Sequence, residues 1–223
     1  MSIYQHLHQS GHRIDLPVGK VVCVGRNYVD HIQELNNNLP EQPMLFMKPS
    51  TALCHFRDEL TVPDDRGECH NELEIAILVG SPLSKATVQQ AQQAIWGYGL
   101  ALDLTLRDLQ SQLKEQGHPW EKAKAFDLSC PVSGFIPRAD IKNEHDIQFS
   151  LHINNALRQS GNSINMIYPI HELLVEISQH FSLMPGDIVL TGTPKGVGAL
   201  QNGDQLTAQL NDQLHVHAQV VNA

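Results

Sequence analysis

The stretch His70-Asn71-Glu72-Leu73-Glu74-Ile75-Ala76-Ile77-Leu78-Val79-Gly80 puts two glutamates two residues apart inside an apolar run. Such a run, rich in Ile and Val and closed by a glycine, reads as a buried strand. Residues i and i+2 of a strand share a face, so Glu72 and Glu74 point one way and Leu73, Ile75 and Ile77 the other. Two carboxylates on a buried face repel each other and lose solvation. A cation between them removes both penalties. A third carboxylate stands in a similar setting in Leu100-Ala101-Leu102-Asp103-Leu104. Glu72, Glu74 and Asp103 offer only hard oxygens, which suits Mg²⁺, Mn²⁺ or Ca²⁺ better than a soft metal. The spacing alone leaves a second reading open: half-exposed strands whose carboxylates face water.

A chain of 223 residues holds one large domain or two small ones. Its 41% hydrophobic and 17% charged residues are those of a globular protein. No apolar run approaches the ~20 residues that a membrane span needs. The start, Met1 to His8, lacks the basic region and apolar core of a secretory signal. A cytoplasmic protein without a membrane partner is expected. The net charge of -9 argues against a nucleic-acid partner, and means that an anionic substrate must be drawn in by local positive charge. Cys23, Cys54, Cys69 and Cys130 form no CxxC pair and read as reduced thiols. Most of the 13 histidines read as surface residues, His215 and His217 on one strand face among them.

Along the chain, residues 1–20 read as a small N-terminal strand pair closing on Pro17, ahead of a main domain over 21–223. Strands are expected at Val21 to Gly25, Met44 to Lys48, 72–80, Ile95 to Leu104, Ile147 to Asn154 and Ile188 to Leu190. Asn154-Asn155 reads as a hairpin turn into Ala156 to Gln159. One or two further strands are expected between Asp204 and Val221. Helices are expected at Asn27 to Leu35, broken by Asn36 to Pro40, and at Lys85 to Ala94, Thr105 to Glu115 and Ile170 to Phe181. The last carries an apolar stripe of Leu173, Leu174, Ile177 and Phe181. Residues 125–135 read as turn-rich around Pro131. Strands and helices alternate too irregularly for a doubly wound fold or a (β/α)₈ barrel. The pattern is α+β and β-rich, with a few covering helices.

Three further segments carry chemistry. His31 and Glu34 are three apart, so a helix sets them side by side, and a carboxylate beside an imidazole fixes its orientation and raises its basicity. An ordinary surface pair has the same spacing. Thr191-Gly192-Thr193-Pro194-Lys195-Gly196-Val197-Gly198 offers hydroxyls and amides that could hold a carboxylate, or makes a structural turn. It is not a Walker A loop. Lys124, among small and aromatic residues, either faces a pocket as an anion ligand or lies on the surface.

Together these residues resemble the fumarylacetoacetate hydrolase superfamily, in its short acylpyruvase-like branch. The resemblance rests on the order and spacing of Gly25-Arg26-Asn27-Tyr28, His31 with Glu34, Phe46-Met47-Lys48-Pro49, Glu72-Leu73-Glu74, Leu102-Asp103-Leu104-Thr105, Lys122-Ala123-Lys124-Ala125-Phe126 and Thr191 to Gly198. It implies a mixed β-sandwich roll, a homodimer, and a divalent metal, commonly Mg²⁺, held by Glu72, Glu74 and Asp103. It also implies a water-activating dyad of His31 and Glu34 on a lid. Lys124 falls at a catalytic, substrate-contacting position, and Arg26, Tyr28, Gln110 and Thr193 at substrate-binding ones. Asn71 stands where many relatives carry a second histidine after His70.

The activity so implied is hydrolysis of an acylpyruvate or related 2,4-dioxo acid. The metal would stabilise an enolate, hydroxide formed at His31 would attack the acyl carbonyl, and the C3–C4 bond would break. The same metal–enolate site would also serve oxaloacetate decarboxylation or keto–enol interconversion, or isomerisation and decarboxylation of aromatic-degradation intermediates. A different class remains open: a non-catalytic, metal-dependent module that binds a small acid.

Overall fold

The computed structural model describes residues 4–34 and 41–223. Among the described residues the strands form three sheets. The largest, of eight strands, runs in the order Met44–Lys48, Val21–Gly25, Ile188–Leu190, Leu73–Val79, Ile95–Leu102, Cys130–Val132 and Leu53–His55, with Ile136–Pro137 also paired to Ile95–Leu102. A five-stranded sheet runs Ala156–Asn162, Gln148–Ile153, Gln205–Leu210, Leu214–Asn222 and Asp58–Val62. A three-stranded sheet joins Gly198–Ala199, Cys69–Asn71 and Thr105–Leu106. Few helices cover these curled sheets, so the architecture is the β-rich α+β roll expected from the sequence.

The Leu73–Val79 strand is buried along its whole length. Leu73, Ile75, Ile77 and Val79 face the larger core, while Ala76 and Leu78 face a smaller one with Tyr4, Ile14 and Phe135. That second core is where the N-terminal segment docks. The strand pair expected in residues 1–20 is reduced, among the described residues, to isolated bridges from Leu7 to Arg13 and from His8 to Phe135.

Local chemistry explains the elements that flank the site. Val88–Ala94 begins at Thr87, which forms a capping box with Gln90. The Asn154-Asn155 turn has φ of 52° and 65°, the left-handed pair that a two-residue hairpin requires. The strand expected over 72–80 is Leu73–Val79, and Glu72 stands between it, in the eight-stranded sheet, and a separate strand, Cys69–Asn71, in the three-stranded one. Ile95–Leu102 stops before Asp103 in the same way, and Thr105–Leu106 joins the small sheet before the helix Arg107–Glu115. Phe181, expected in the apolar stripe of Ile170–His180, is the residue after that helix and is 36% exposed. Residues 125–135 contain a strand, Cys130–Val132, not turns alone. Leu35 and Asn36 to Pro40 lie outside the described residues, and the helix before them is Val29–Glu34.

Candidate active site

Glu72 and Asp103 sit at the two corners where adjacent strands leave the large sheet for the small one. The Asp103 amide donates to the Glu72 carbonyl at 2.8 Å, which ties the corners together. Glu74 lies two residues on, and its carboxylate accepts a 2.6 Å hydrogen bond from the Gly192 amide. One carboxylate oxygen from each of the three residues falls within 4.8 Å of the others, and all three side chains are buried.

Cations surround them. The Lys124 ammonium lies 2.8 Å from Glu72 Oε2 and 2.6 Å from Asp103 Oδ2. Arg107 pairs with Glu72. Lys48, fully buried, stands 2.8 Å from Asp103 Oδ1, but off hydrogen-bond geometry, so that oxygen accepts no hydrogen bond among the described residues. Lys48 donates instead to the carbonyl of Ser129 at 3.0 Å and to its hydroxyl at 3.1 Å. Burial alone would raise the Glu72 carboxyl, but Lys124 and Arg107 outweigh it and hold the group below the usual carboxylate range. Among the described residues no cation forms an ion pair with Glu74, and the Lys124 charge does not offset the rest. Burial, then the Asp103 and Glu72 charges, push it well above its ordinary value. Lys124 is the converse case: burial works against its charge, and Asp103 and Glu72 raise it nonetheless.

This donor set fits a hard divalent cation. It is all oxygen, it converges, one buried oxygen lacks a hydrogen bond among the described residues, and Glu74 has its charge suppressed by burial and by the neighbouring carboxylates, both of which a cation would offset. Glu72, Glu74 and Asp103 are the residues that would hold it.

The carboxylates form the floor of a cleft of ≈ 150 Å³ whose walls include His31, Arg26, Phe46, Gln110, Trp120, Lys124 and Thr193. His31 is buried, and its Nδ1 lies 3.2 Å from Glu34 Oε2. In the tautomer that donates Nδ1–H to Glu34, Nε2 keeps the lone pair. The other Glu34 oxygen accepts from the Gly196 amide at 3.0 Å, and the Lys195 ammonium lies 2.9 Å from Asp30. The Val29–Glu34 helix is thus latched onto the 191–198 loop.

That loop does hold carboxylates, but they are the protein's own: Glu74 on Gly192 and Glu34 on Gly196. Its hydroxyls are spent on backbone, Thr191 on the Ile75 carbonyl at 3.1 Å and Thr193 on the Leu73 carbonyl at 2.9 Å. Gln159 braces the turn, donating to Thr193 Oγ1 at 2.8 Å and accepting from the Leu73 amide at 2.9 Å. Asn71 donates to the same Gln159 oxygen at 2.9 Å, so the position that departs from the resembled pattern serves the scaffold. Gly192 has φ of 94°, and a Cβ there would lie 2.6 Å from Asn27 Cβ.

Of the ten site residues expected, nine meet around this cleft, Glu34 through His31. Tyr28 does not line it. Its ring is 4% exposed and packs edge-on to Phe149, with its hydroxyl buried and without a hydrogen bond. Sequence reasoning missed Lys48, Arg107, Lys114 and the aromatic wall of Phe46 and Trp120. Lys124 lies over the Phe46 ring at 5.2 Å, and Trp120 meets Phe46 edge-on at 6.1 Å. The available signal was helical spacing: Arg107, Gln110 and Lys114 recur at four, seven and eleven residues after the Asp103 corner.

Residues 20–221 match the model of the fumarylacetoacetate (FAA) hydrolase C-terminal family. Oxaloacetate tautomerase YcgM of Escherichia coli (strain K12) is 52% identical over 206 residues, 92% of this chain and 94% of that protein. A crystal structure of a fumarylacetoacetate hydrolase family protein from Yersinia pestis CO92 superposes with a TM-score of 0.96 at 50% identity, covering 98% of this chain and 100% of that one. Fumarylpyruvate hydrolase from Pseudomonas aeruginosa, solved with Mn²⁺ and pyruvate, gives a TM-score of 0.92 at 32% identity over 100% of this chain and 97% of that one. The chain belongs to the fumarylacetoacetate hydrolase family and is an enzyme of that superfamily. Among the described residues no helix is long and apolar enough to cross a membrane.

Proposed function

We propose that the protein is a metal-dependent enzyme that interconverts the keto and enol forms of a small 2-oxo acid, with oxaloacetate as substrate. The observation that carries the reading is the convergence of a three-carboxylate floor and an oriented imidazole on one small cleft. The 52% identity with an oxaloacetate tautomerase supports tautomerisation over hydrolysis as the main reaction. This reverses the order of preference drawn from the sequence.

A divalent cation, Mg²⁺ by expectation, would supply Lewis acidity that lowers the energy of the enolate oxygen. Glu72, Glu74 and Asp103 would hold it. His31 Nε2, with Nδ1–H donated to Glu34, takes a proton from C3. The same proton, or one from solvent, is then delivered to the C2 oxygen, so a C3–H bond is exchanged for an O–H bond, no water is consumed and no carbon–carbon bond breaks. Lys124 balances negative charge on the enolate. Gln110 and Thr193 border the substrate, and Phe46 with Trp120 keeps water from that side of the cleft. A homodimer in the cytoplasm belongs to the same reading.

A second reading is retained because of the same dyad. His31 with Glu34 suits activation of water, and the Mn²⁺- and pyruvate-bound relative is a fumarylpyruvate hydrolase. Hydrolysis would add hydroxide to the acyl carbonyl of an acylpyruvate and release pyruvate enolate. A panel of oxaloacetate, acetylpyruvate and fumarylpyruvate, with metal added and then chelated, separates the two. Tautomerisation predicts metal-dependent loss of the oxaloacetate enol absorbance without new pyruvate. Rapid release of pyruvate from the acylpyruvates, with the enol untouched, would instead establish the hydrolase.

A further inference from the structure

We infer that Lys114 and Arg26 form a second anion subsite at the mouth of the cleft, which takes the distal carboxylate of a 2-oxo dicarboxylate. The inference rests on the 2-oxo acid reading above and names the side chains that select among such acids.

One face of the Arg107–Glu115 helix makes a wall of the cleft. Arg107, Gln110, Ser111 and Lys114 all line it, at the i, i+3, i+4 and i+7 positions that share a helical face. The wall is graded. Arg107, at the deep end, is committed to Glu72 and donates to Gln110 Oε1 at 2.7 Å. Gln110 is buried, whereas Lys114, a turn further out, is exposed.

Arg26 lines the same cleft from the end of the Val21–Gly25 strand. Its φ is 66°, a left-handed conformation that non-glycine residues adopt at a cost and that clusters at binding sites. The next residue enforces it. Asn27 donates to the Thr191 carbonyl at 2.8 Å and to the Tyr168 carbonyl at 3.1 Å, and accepts from the Tyr168 amide at 2.7 Å. With Asn27 clamped on both sides, the turn at Arg26 is fixed by the scaffold.

Positive charge therefore converges here in a chain whose net charge is -9. Partial burial, then the Arg26 and Arg107 charges, hold Lys114 below its ordinary value. An anion between these groups relieves that repulsion, as a cation does for the carboxylates on the floor. A substrate with one carboxylate at the floor and another at the mouth meets both sites, and a 2-oxo monocarboxylate meets one.

The test compares oxaloacetate with 2-oxobutanoate, which has a methyl group where oxaloacetate has its distal carboxylate. Apparent affinities are measured by thermal shift on Mg²⁺-loaded protein. The wild type is expected to prefer oxaloacetate by about 10-fold, the scale of one charge-assisted contact. Lys114→Gln and Arg26→Gln, each checked for a cooperative unfolding transition, bring the ratio of affinities towards one. Lys122→Gln, which removes the same charge from an exposed position outside the cleft, keeps the wild-type ratio. An unchanged ratio in both folded variants, or an equal loss for both acids, overturns the inference. If neither acid shifts the wild type, the 2-oxo acid reading itself fails, which is a distinguishable result.

Discussion

The Asp103 amide donates to the Glu72 carbonyl at 2.8 Å, so a single backbone hydrogen bond sets the spacing of two site carboxylates. Each residue is a strand corner. A side chain there leaves the pleat of the large sheet and turns into the cleft; Lys124 meets both carboxylates, and Lys48 meets that of Asp103.

Removing the Asp103 carboxylate leaves two buried ammonium groups short of a partner, Lys48 at 0% exposure and Lys124 at 3%. Breaking a buried pair in this way costs about 3–5 kcal/mol. Asp103→Ala is expected to lower the unfolding free energy measured by chemical denaturation by that amount and to abolish Mn²⁺ binding in calorimetry. Asp103→Asn keeps the volume and one acceptor, loses less stability and still binds metal poorly. An Asp103→Ala protein with wild-type stability and metal affinity would refute the placement of Lys48 and Lys124.

His31 tests the other half of the site. His31→Ala removes the proposed base but no carboxylate, so Mn²⁺ affinity stays near that of the wild type. Enol turnover drops by about 10²–10⁴-fold, the usual contribution of a positioned general base. Glu34→Gln falls between the two, because it weakens both the orientation of the imidazole and the latch to Gly196. Stopped-flow absorbance of the oxaloacetate enol reads all three, and full activity in His31→Ala would remove the dyad from the mechanism.

Gly192 links the loop to the candidate metal site. At φ of 94°, with Asn27 Cβ 2.6 Å from the position of an added Cβ, alanine is strained twice over. Gly192→Ala is expected to lose more than about 1 kcal/mol of stability. It also shifts the amide that holds Glu74, so metal affinity falls. A stable variant with weak metal binding would still support the amide's role, whereas a stable variant with wild-type metal binding would not.

A pH dependence away from the site follows from His6. Burial lowers its pKa from 6.5, against hydrogen bonds to the carbonyls of Pro17 and Gly186, both at 3.0 Å, and the charge of Asp187. The unfolded chain therefore takes up the proton first as pH falls. Stability from this group is complete above its unfolded pKa and is lost progressively below about 6.5. Thermal unfolding between pH 5 and pH 8 should show a midpoint that rises with pH, and His6→Asn should flatten the rise. An equal slope in His6→Asn assigns it to other groups, such as His55 and His171, which burial also lowers.

How much of this was legible in the sequence depended on whether a residue violated its local setting. Carboxylates in apolar strands do so, and Glu72, Glu74 and Asp103 stood out for that reason. Lys48 did not: a lysine at the end of a strand and before Pro49 looks like an ordinary solvated terminus, and only the fold buries it among the carbonyls of Ser129 and Lys124. The break at Glu72 was hidden because extended backbone continues on both sides of it, while the change of sheet is made by partners distant in the chain. Pro131 misled in the opposite direction. It lies within the Cys130–Val132 strand, where the pairing to Ile95–Leu102 is limited to Ala101 with Val132, so no ladder bond to that neighbour needs its missing N–H. Hydroxyls in the 191–198 loop were visible, but their commitment to backbone carbonyls was not.

Enolisation at the carboxylate floor is the central claim, and proton exchange at C3 of oxaloacetate in D₂O, followed by NMR, tests it most directly. With Mg²⁺-loaded wild-type protein the account predicts deuterium entry at C3 faster than in protein-free buffer, with no matching gain of pyruvate. Chelation of the metal or Asp103→Asn should return exchange to the buffer rate. Exchange no faster than buffer in the metal-loaded wild type, or undiminished after chelation, would contradict it.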